Sequence, residues 1–428
     1  MKTKLTLASL LFFMTQFAFG QQPCGTYEYE SYLNTKFPGF SEALTGTRQQ
    51  SSDAMNRLNK AGLRDTVYRI PVVFHIVWSA SAQNIHDSLI YSQMKAINES
   101  FSHKHKDTGK IRNIFKPLAG NTKIEFYLAD KDPNGNPTNG INRVKTTRTD
   151  FNDGTSLQGE AVKSSSTNGV DAWNPEKYLN IWVCRFTYKG TVVTAAYAFP
   201  PVNAKNWNSI YYKSLELQGV VINYQYVGKN NPYDLSGSSI RERTLVHEIG
   251  HYLGLRHIWA DKSNCTGEDD GIKDTPNCAS ATTGCSTTKN TCTNTNDQPD
   301  MTENYMDYTP FPCTVMFTRE QAGLMRYNLV NLRPKLPQLQ ITILPATPND
   351  KISISPNPVK GEMKLHFDQK GSFNVELIDI IGQPVLHKTI MVTENYEFNI
   401  PVSLATGFYY LKITQSNNLV LKQRLLVD

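Results

Sequence analysis

Beyond its first twenty residues, this chain of 428 has no apolar run approaching the roughly 20 residues that a membrane-spanning helix needs. A multi-span membrane protein is therefore not expected. It also lacks any block of Lys or Arg. Its 44 Lys and Arg against 38 Asp and Glu give a net charge of +6, with the cations scattered, which argues against a nucleic-acid partner. Cysteine is absent after Cys313. What remains is ordinary globular composition, 39% apolar and 19% charged, in a chain long enough for two or three domains.

The first stretch sets the compartment. "MKTKLTLASLLFFMTQFAFG" carries Lys2 and Lys4, then a short apolar run, then Ala18 and Gly20. That order reads as a secretory signal over 1–20, removed near Gly20–Gln21. Seven cysteines suit an oxidising destination. Five of them, Cys265, Cys278, Cys285, Cys292 and Cys313, crowd into one stretch, and Cys24 and Cys184 lie apart.

Residues 21–57 are polar, rich in Gln, Ser and Thr, and read as too poor in periodic apolar residues for a core; we expect a pro-segment. A main domain spans 58–335. "DTVYRIPVVFHIVW" reads as a central strand, 86–102 as an amphipathic helix, and "TKIEFYLAD", "YLNIWVCRFTY" and "QGVVINYQYV" as further strands. "SSIRERTLVHEIGHYLGL" reads as a helix, with Ser239 and Glu242 as a capping box and Gly254 as a left-handed C-cap. Residues 260–314 read as loop, and 318–333 as a closing helix. A proline-punctuated linker covers 336–351. Short alternating segments over 352–428 then predict a small β-sandwich.

The chemistry centres on "TLVHEIGHYLGLRHIW". Residues four apart share a helix face, so His247 and His251 point at one spot. Glu248 lies beside them, rotated by about 100°. Gly254 permits a sharp bend, after which His257 returns as a third nitrogen. Three neutral imidazoles and an open position form the ligand set of a catalytic zinc site; structural sites prefer four closed ligands, often cysteines. Glu248 is then free to act as a general base. The spacing HExxHxxGxxH matches the long zinc signature of the metzincins. "ENYMDYT" supplies the downstream Met-turn, with Met306 as an apolar floor and Tyr308 as an oxyanion stabiliser.

"YLNIWVC", "AYAFPP", "VHEIGHYLGLRHIW", "DTPNC" and "NYMDYTPFPCTVMFTREQ" together resemble the pappalysin family of metzincins, over roughly 68–333. The resemblance implies an α+β zinc endopeptidase: a twisted mixed sheet with helices, an irregular lower subdomain, and a substrate cleft between them. It also implies two lower-half disulfides, Cys265–Cys292 and Cys285–Cys313, although four cysteines allow three pairings. Cys278 departs from the family pattern and either pairs with Cys184 or stays free. "GEDDGIKDTP", with Asp270, Asp274 and the Thr275 carbonyl, is expected to hold calcium, as relatives do. "PCG" at Cys24 resembles the cysteine switch of metalloprotease zymogens, in which a thiolate takes the fourth zinc position.

"ISPNPVKGEMKLHF" with "LATGFYYLKI" and "KQRLLV" resembles the C-terminal sorting domain of the type IX secretion system. It implies a secreted or cell-surface protein of a Gram-negative, Bacteroidetes-like bacterium, with that machinery as a partner. The competing class is an inactive surface adhesin on a peptidase scaffold; the presence of Glu248, which a scaffold does not need, separates the two.

Overall fold

The computed structural model describes residues 22–58, 66–151, 160–187, 190–192, 194–202, 207, 210, 213–234, 241–266, 269–293, 298–310, 312–339, 352–379, 384–393, 397–404, 407–416 and 418–427. The expected signal (1–20), Ser239 of the expected capping box, Glu268 and most of the linker lie outside them.

The architecture is a twisted mixed sheet with helices, followed by antiparallel β-structure. Its centre is β2 (Tyr68–Trp78), whose β-branched and aromatic residues are buried on both faces. Such a strand needs neighbours on each edge. β3 (Ile124–Leu128) and β4 (Ile141–Lys145) pair in parallel with its first and second halves, and β5 (Leu179–Cys184) pairs in parallel opposite. β7 (Val220–Asn223) continues the parallel run, and β6 (Thr194–Ala198) lies antiparallel beyond it. At the edge, β1 (Gln22–Cys24) runs parallel to β6. β8 (Gln338–Leu339) pairs antiparallel with the start of β2.

Alternating side chains feed two cores. From β6, Ala196 and Ala198 enter the larger one, which packs against the helices α3 (Asp87–Phe101) and α4 (Arg243–Tyr252). Tyr197 and Phe199 enter the second, on the opposite face. Here the reading of residues 21–57 needs correction. α1 (Thr26–Lys36) and α2 (Phe40–Leu58) contribute Tyr29, Leu33, Phe40 and Leu44 to that second core, all nearly inaccessible. Two i,i+4 pairs suffice because they complete a core supplied by the sheet rather than building one.

α4 begins later than expected. Glu242 stands at its N-cap with no side-chain capping bond, so the capping-box reading fails on this residue. Its C-terminus behaves as predicted: Gly254 has φ +99° and donates to the His251 carbonyl at 2.8 Å. A Cβ there would meet Asn328 Nδ2 at 2.2 Å, so packing as well as conformation requires glycine. α5 (Arg319–Leu332) closes the body, capped reciprocally by Thr318 and Gln321.

Among the described residues, 253–318 holds no helix or strand longer than a bridge. Two disulfides cross it, Cys265–Cys292 and Cys285–Cys313. Cys184 and Cys278 do not pair: both are free and buried, in different cores. From 352 onward, a three-stranded and a four-stranded antiparallel sheet share their own core, including Met363, Leu365, Phe373 and Leu411. In the strand Glu362–Phe367 burial alternates strictly, as expected of a strand with one wet face.

Candidate metal centre

His247 and His251 stand one turn apart on α4, and the bend at Gly254 returns His257 to face them. The three Nε2 atoms lie 3.1–3.2 Å from one another, and all three rings are buried. Their outer nitrogens fix the tautomers. His247 Nδ1 is 2.6 Å from the Tyr305 carbonyl and His251 Nδ1 is 2.8 Å from the Leu255 carbonyl. A carbonyl only accepts, so each Nδ1 carries the proton. His257 Nδ1 donates to Asp261 Oδ1 at 2.5 Å. Burial pushes the Asp261 carboxyl up, but His257, Arg256 and Arg48 outweigh it and hold it below the ordinary range.

The consequence is three Nε2 atoms converging on one point, with the Nδ1 protons turned outward. Protonation does not resolve this. Burial, reinforced by the neighbouring rings, lowers His247 to about 3 and His251 well below its ordinary value. A tetrahedral ion with bonds of about 2.0–2.1 Å puts its nitrogens about 3.3–3.4 Å apart, so the donor set fits zinc. The fourth direction is filled by Cys24, whose Sγ joins the three nitrogens within 4.8 Å. Among the described residues no other group of three or more His, Cys, Asp or Glu converges in this way.

Glu248 is fully buried beside this point. Its Oε2 accepts from the Thr26 hydroxyl at 2.9 Å and from the Cys24 thiol at 3.6 Å; its Oε1 has no hydrogen-bond partner. Burial pushes the Glu248 carboxyl up to about 8, against the lowering effect of those two bonds. Burial and Glu248 together push the Cys24 thiol up. Tyr308 donates to the Cys24 carbonyl at 3.2 Å, and its ring packs against His247, His257 and Trp259. Met306 is inaccessible beneath α4: a Cβ on Gly250 would come within 2.6 Å of its Sδ.

The expected calcium turn looks different. Both oxygens of Asp270 accept from the Thr275 hydroxyl, and Asp274 Oδ2 accepts from the Glu320 backbone N–H. Asp274 Oδ1 is buried without a partner. Asp270, Asp274 and a third acid do not converge among the described residues.

Three site residues escaped the sequence reading. Thr26 bridges Glu248 and the Ala198 N–H, accepting the latter at 2.9 Å; nothing in "PCGTYE" announces this. Asp261 was findable, since it follows His257 by four. Trp259, stacked on the His257 ring at 4.3 Å, was not.

A mixed sheet above an HExxH helix, with three inward histidines and a methionine floor, defines a metallopeptidase. Residues 163–330 match the family described as Pregnancy-associated plasma protein-A, and 353–428 match the secretion system C-terminal sorting domain. Mature mirolysin of Tannerella forsythia, solved in complex with a cleaved peptide, is 39% identical with a TM-score of 0.55, over 63% of this chain and 96% of that one. A promirolysin mutant of the same organism is 34% identical with a TM-score of 0.61, over 74% and 97%. An extracellular metalloprotease of Arthroderma otae is 25% identical over 65% of this chain and 84% of its own length. The chain belongs to the pappalysin family and is a metalloendopeptidase exported by type IX secretion. No helix among the described residues is long and apolar enough to cross a membrane.

Proposed function

We propose that the chain is a zinc endopeptidase made as a zymogen, with His247, His251 and His257 holding the metal and Cys24 blocking it. The observation that carries this reading is the convergence of three imidazole Nε2 atoms and one thiol on a single buried point. Zinc held there would supply a Lewis acid, making the attacking water more acidic and polarising the scissile carbonyl.

The protein's own groups supply the rest. Glu248 takes a proton from the attacking water and returns it to the leaving amine nitrogen. Its unpartnered Oε1 is suited to this once Thr26 and Cys24 have left Oε2. The Tyr308 hydroxyl, freed from the Cys24 carbonyl, donates to the developing oxyanion. Substrate takes the place of β1 along the β6 edge, adding main-chain hydrogen bonds that are tolerant of sequence. In the closed chain, residues 22–26 thus occupy the metal position, the base, the oxyanion donor and the edge strand together. Residues 58–335 form the catalytic domain and 352–428 the sorting module.

Replacing Glu248 with Ala tests the mechanism. Zinc should remain at one per chain, while cleavage of a fluorogenic peptide by the activated enzyme falls roughly 10²–10⁴-fold. Retained cleavage would sink the proposal.

Calcium at 269–275 is a subordinate part of this reading, supported by the orphaned Asp274 Oδ1 and by burial pushing the Asp274 carboxyl up to about 6. Adding calcium at 100 times its dissociation constant to chain stripped with a calcium-selective chelator should raise stability by about 2.7 kcal/mol. An unmoved melting temperature removes it.

A further inference from the structure

On the sheet face opposite α4, a second polar cluster plays no part in the proposed chemistry. Glu160 and Lys163 lie on one short helical turn, and Lys163 is 2% exposed. The Lys163 ammonium donates to the Leu217 carbonyl at 2.8 Å and to the Tyr29 hydroxyl at 2.9 Å. It sits over the rings of Tyr29, Tyr197 and Trp182, at 4.6, 5.2 and 5.6 Å from their centroids. Tyr29 in turn donates to Glu160 Oε1 at 3.1 Å, and Lys36 approaches Glu160 Oε2 at 3.4 Å. One phenol therefore accepts from a buried lysine amine, which burial lowers to about 7, and donates to a carboxylate, with its ring against Tyr197 at 4.4 Å. Phenylalanine matches the shape but neither bond. Beyond this pocket, Phe40 packs edge-on to Trp207 at 5.1 Å, and the Trp207 indole donates to the Ala43 carbonyl at 3.1 Å.

The contacts at the metal centre are few and come from Cys24 and Thr26. Those on the outer face are many and bury Tyr29, Leu33, Phe40 and Leu44. Cutting the chain behind α2 breaks none of them. We infer that the Glu160–Lys163 pocket is a docking site for the Tyr29 phenol, and that through it residues 22–58 stay bound after the chain is cut. Cleavage alone then leaves the metal site covered, and release of the segment is a separate step. This rests on reading that segment as the pro-segment.

The test uses the full-length Glu248→Ala chain, so that self-cleavage does not intrude, with a recognition sequence for a site-specific protease inserted at 60–64. After nicking, gel filtration and fragment titration measure how much N-terminal fragment stays bound. The parent and a Cys24→Ala variant should retain it. Tyr29→Phe should weaken retention about tenfold, because it strands a buried ammonium and a carboxylate. Tyr29→Ala should weaken it further. Adding Lys163→Met to Tyr29→Phe should recover part of the loss, since the stranded amine is then gone and Glu160 keeps Lys36. Circular dichroism of each un-nicked variant checks folding, and the conservative Tyr29→Phe keeps the idea testable if Tyr29→Ala misfolds. The inference is overturned if Tyr29→Phe holds its fragment like the parent, or if Cys24→Ala alone releases it. Binding is read here without activity, so failure of the zymogen reading, seen as activity before any cut in chain with native Glu248, would be recorded separately.

Discussion

The sheet-bearing half of the catalytic body and the coil at 253–318 reach rigidity by different routes, yet both deliver residues to one centre. The upper half presents His247, Glu248 and His251 from a helix packed by Leu245, Val246 and Ile249 into a continuous apolar core. Among its described residues, the lower region has almost no ladder hydrogen bonds and holds His257, Met306 and Tyr308 by other means. Two disulfides close loops of 27 and 28 residues. Buried carboxylates then take up loop donors: Asp307 accepts from Thr282 N, Tyr308 N and the Thr309 hydroxyl, and Asp300 from Thr291 N and the Thr291 hydroxyl. Arg112 reaches across from the upper half to hold Glu303 in a two-pronged pair at 2.5 and 2.7 Å. A ligand residue placed on a helix needs only that helix to be packed. One placed on coil needs each backbone group around it to be tied separately.

That contrast can be broken most strongly at the cross-links. Replacing Cys285 and Cys313 together with Ala should destabilise the lower region by about 3.5 kcal/mol, from the loop-closure entropy of a chain this long. Denaturation followed by near-ultraviolet dichroism should show the loss, while far-ultraviolet dichroism of the sheet and helices changes little. If helix and strand signals melt with it in one step, the two halves are a single cooperative unit and the distinction fails.

A smaller effect is expected at the hydrogen bond that orients the lower-half histidine, His257. Asp261→Ala frees the His257 ring from its partner and should weaken zinc binding 10–100-fold, about 1.4–2.8 kcal/mol. Competition with a chromogenic chelator measures it. Unchanged affinity would mean that Trp259 stacking alone orients the ring.

The smallest effect should come at the floor. Met306→Leu keeps volume and apolarity, so it should cost less than about 1.5 kcal/mol and leave zinc content intact. A larger loss in melting temperature would show that the shape beneath Gly250 is more demanding than its chemistry.

Much of the upper half was legible because its patterns are local. β2, β5 and β7 announce themselves by β-branched runs, and α3 and α4 by helical spacing. β6 and β4 were not predicted as strands, since five residues such as "TAAYA" carry little signal without the neighbours that bury them. The N-terminal segment was misjudged for a related reason. Its four side chains in the second core look sparse along the chain and are sufficient only against residues such as Phe199 and Trp207, far away in sequence.

The sequence by itself determined the three histidines, the glutamate between them and the glycine that turns the chain, because helix geometry and a left-handed cap act within about ten residues. It also marked Met306, Tyr308 and the four bridged cysteines through family resemblance, without saying what each touches. Only the tertiary structure decided that Thr26 engages Glu248, that Asp261 rather than a carbonyl holds His257, and that Tyr29 completes a buried charge pair. Those contacts depend on how separate segments pack, and no short-range periodicity encodes which distant polar group will be left needing a partner.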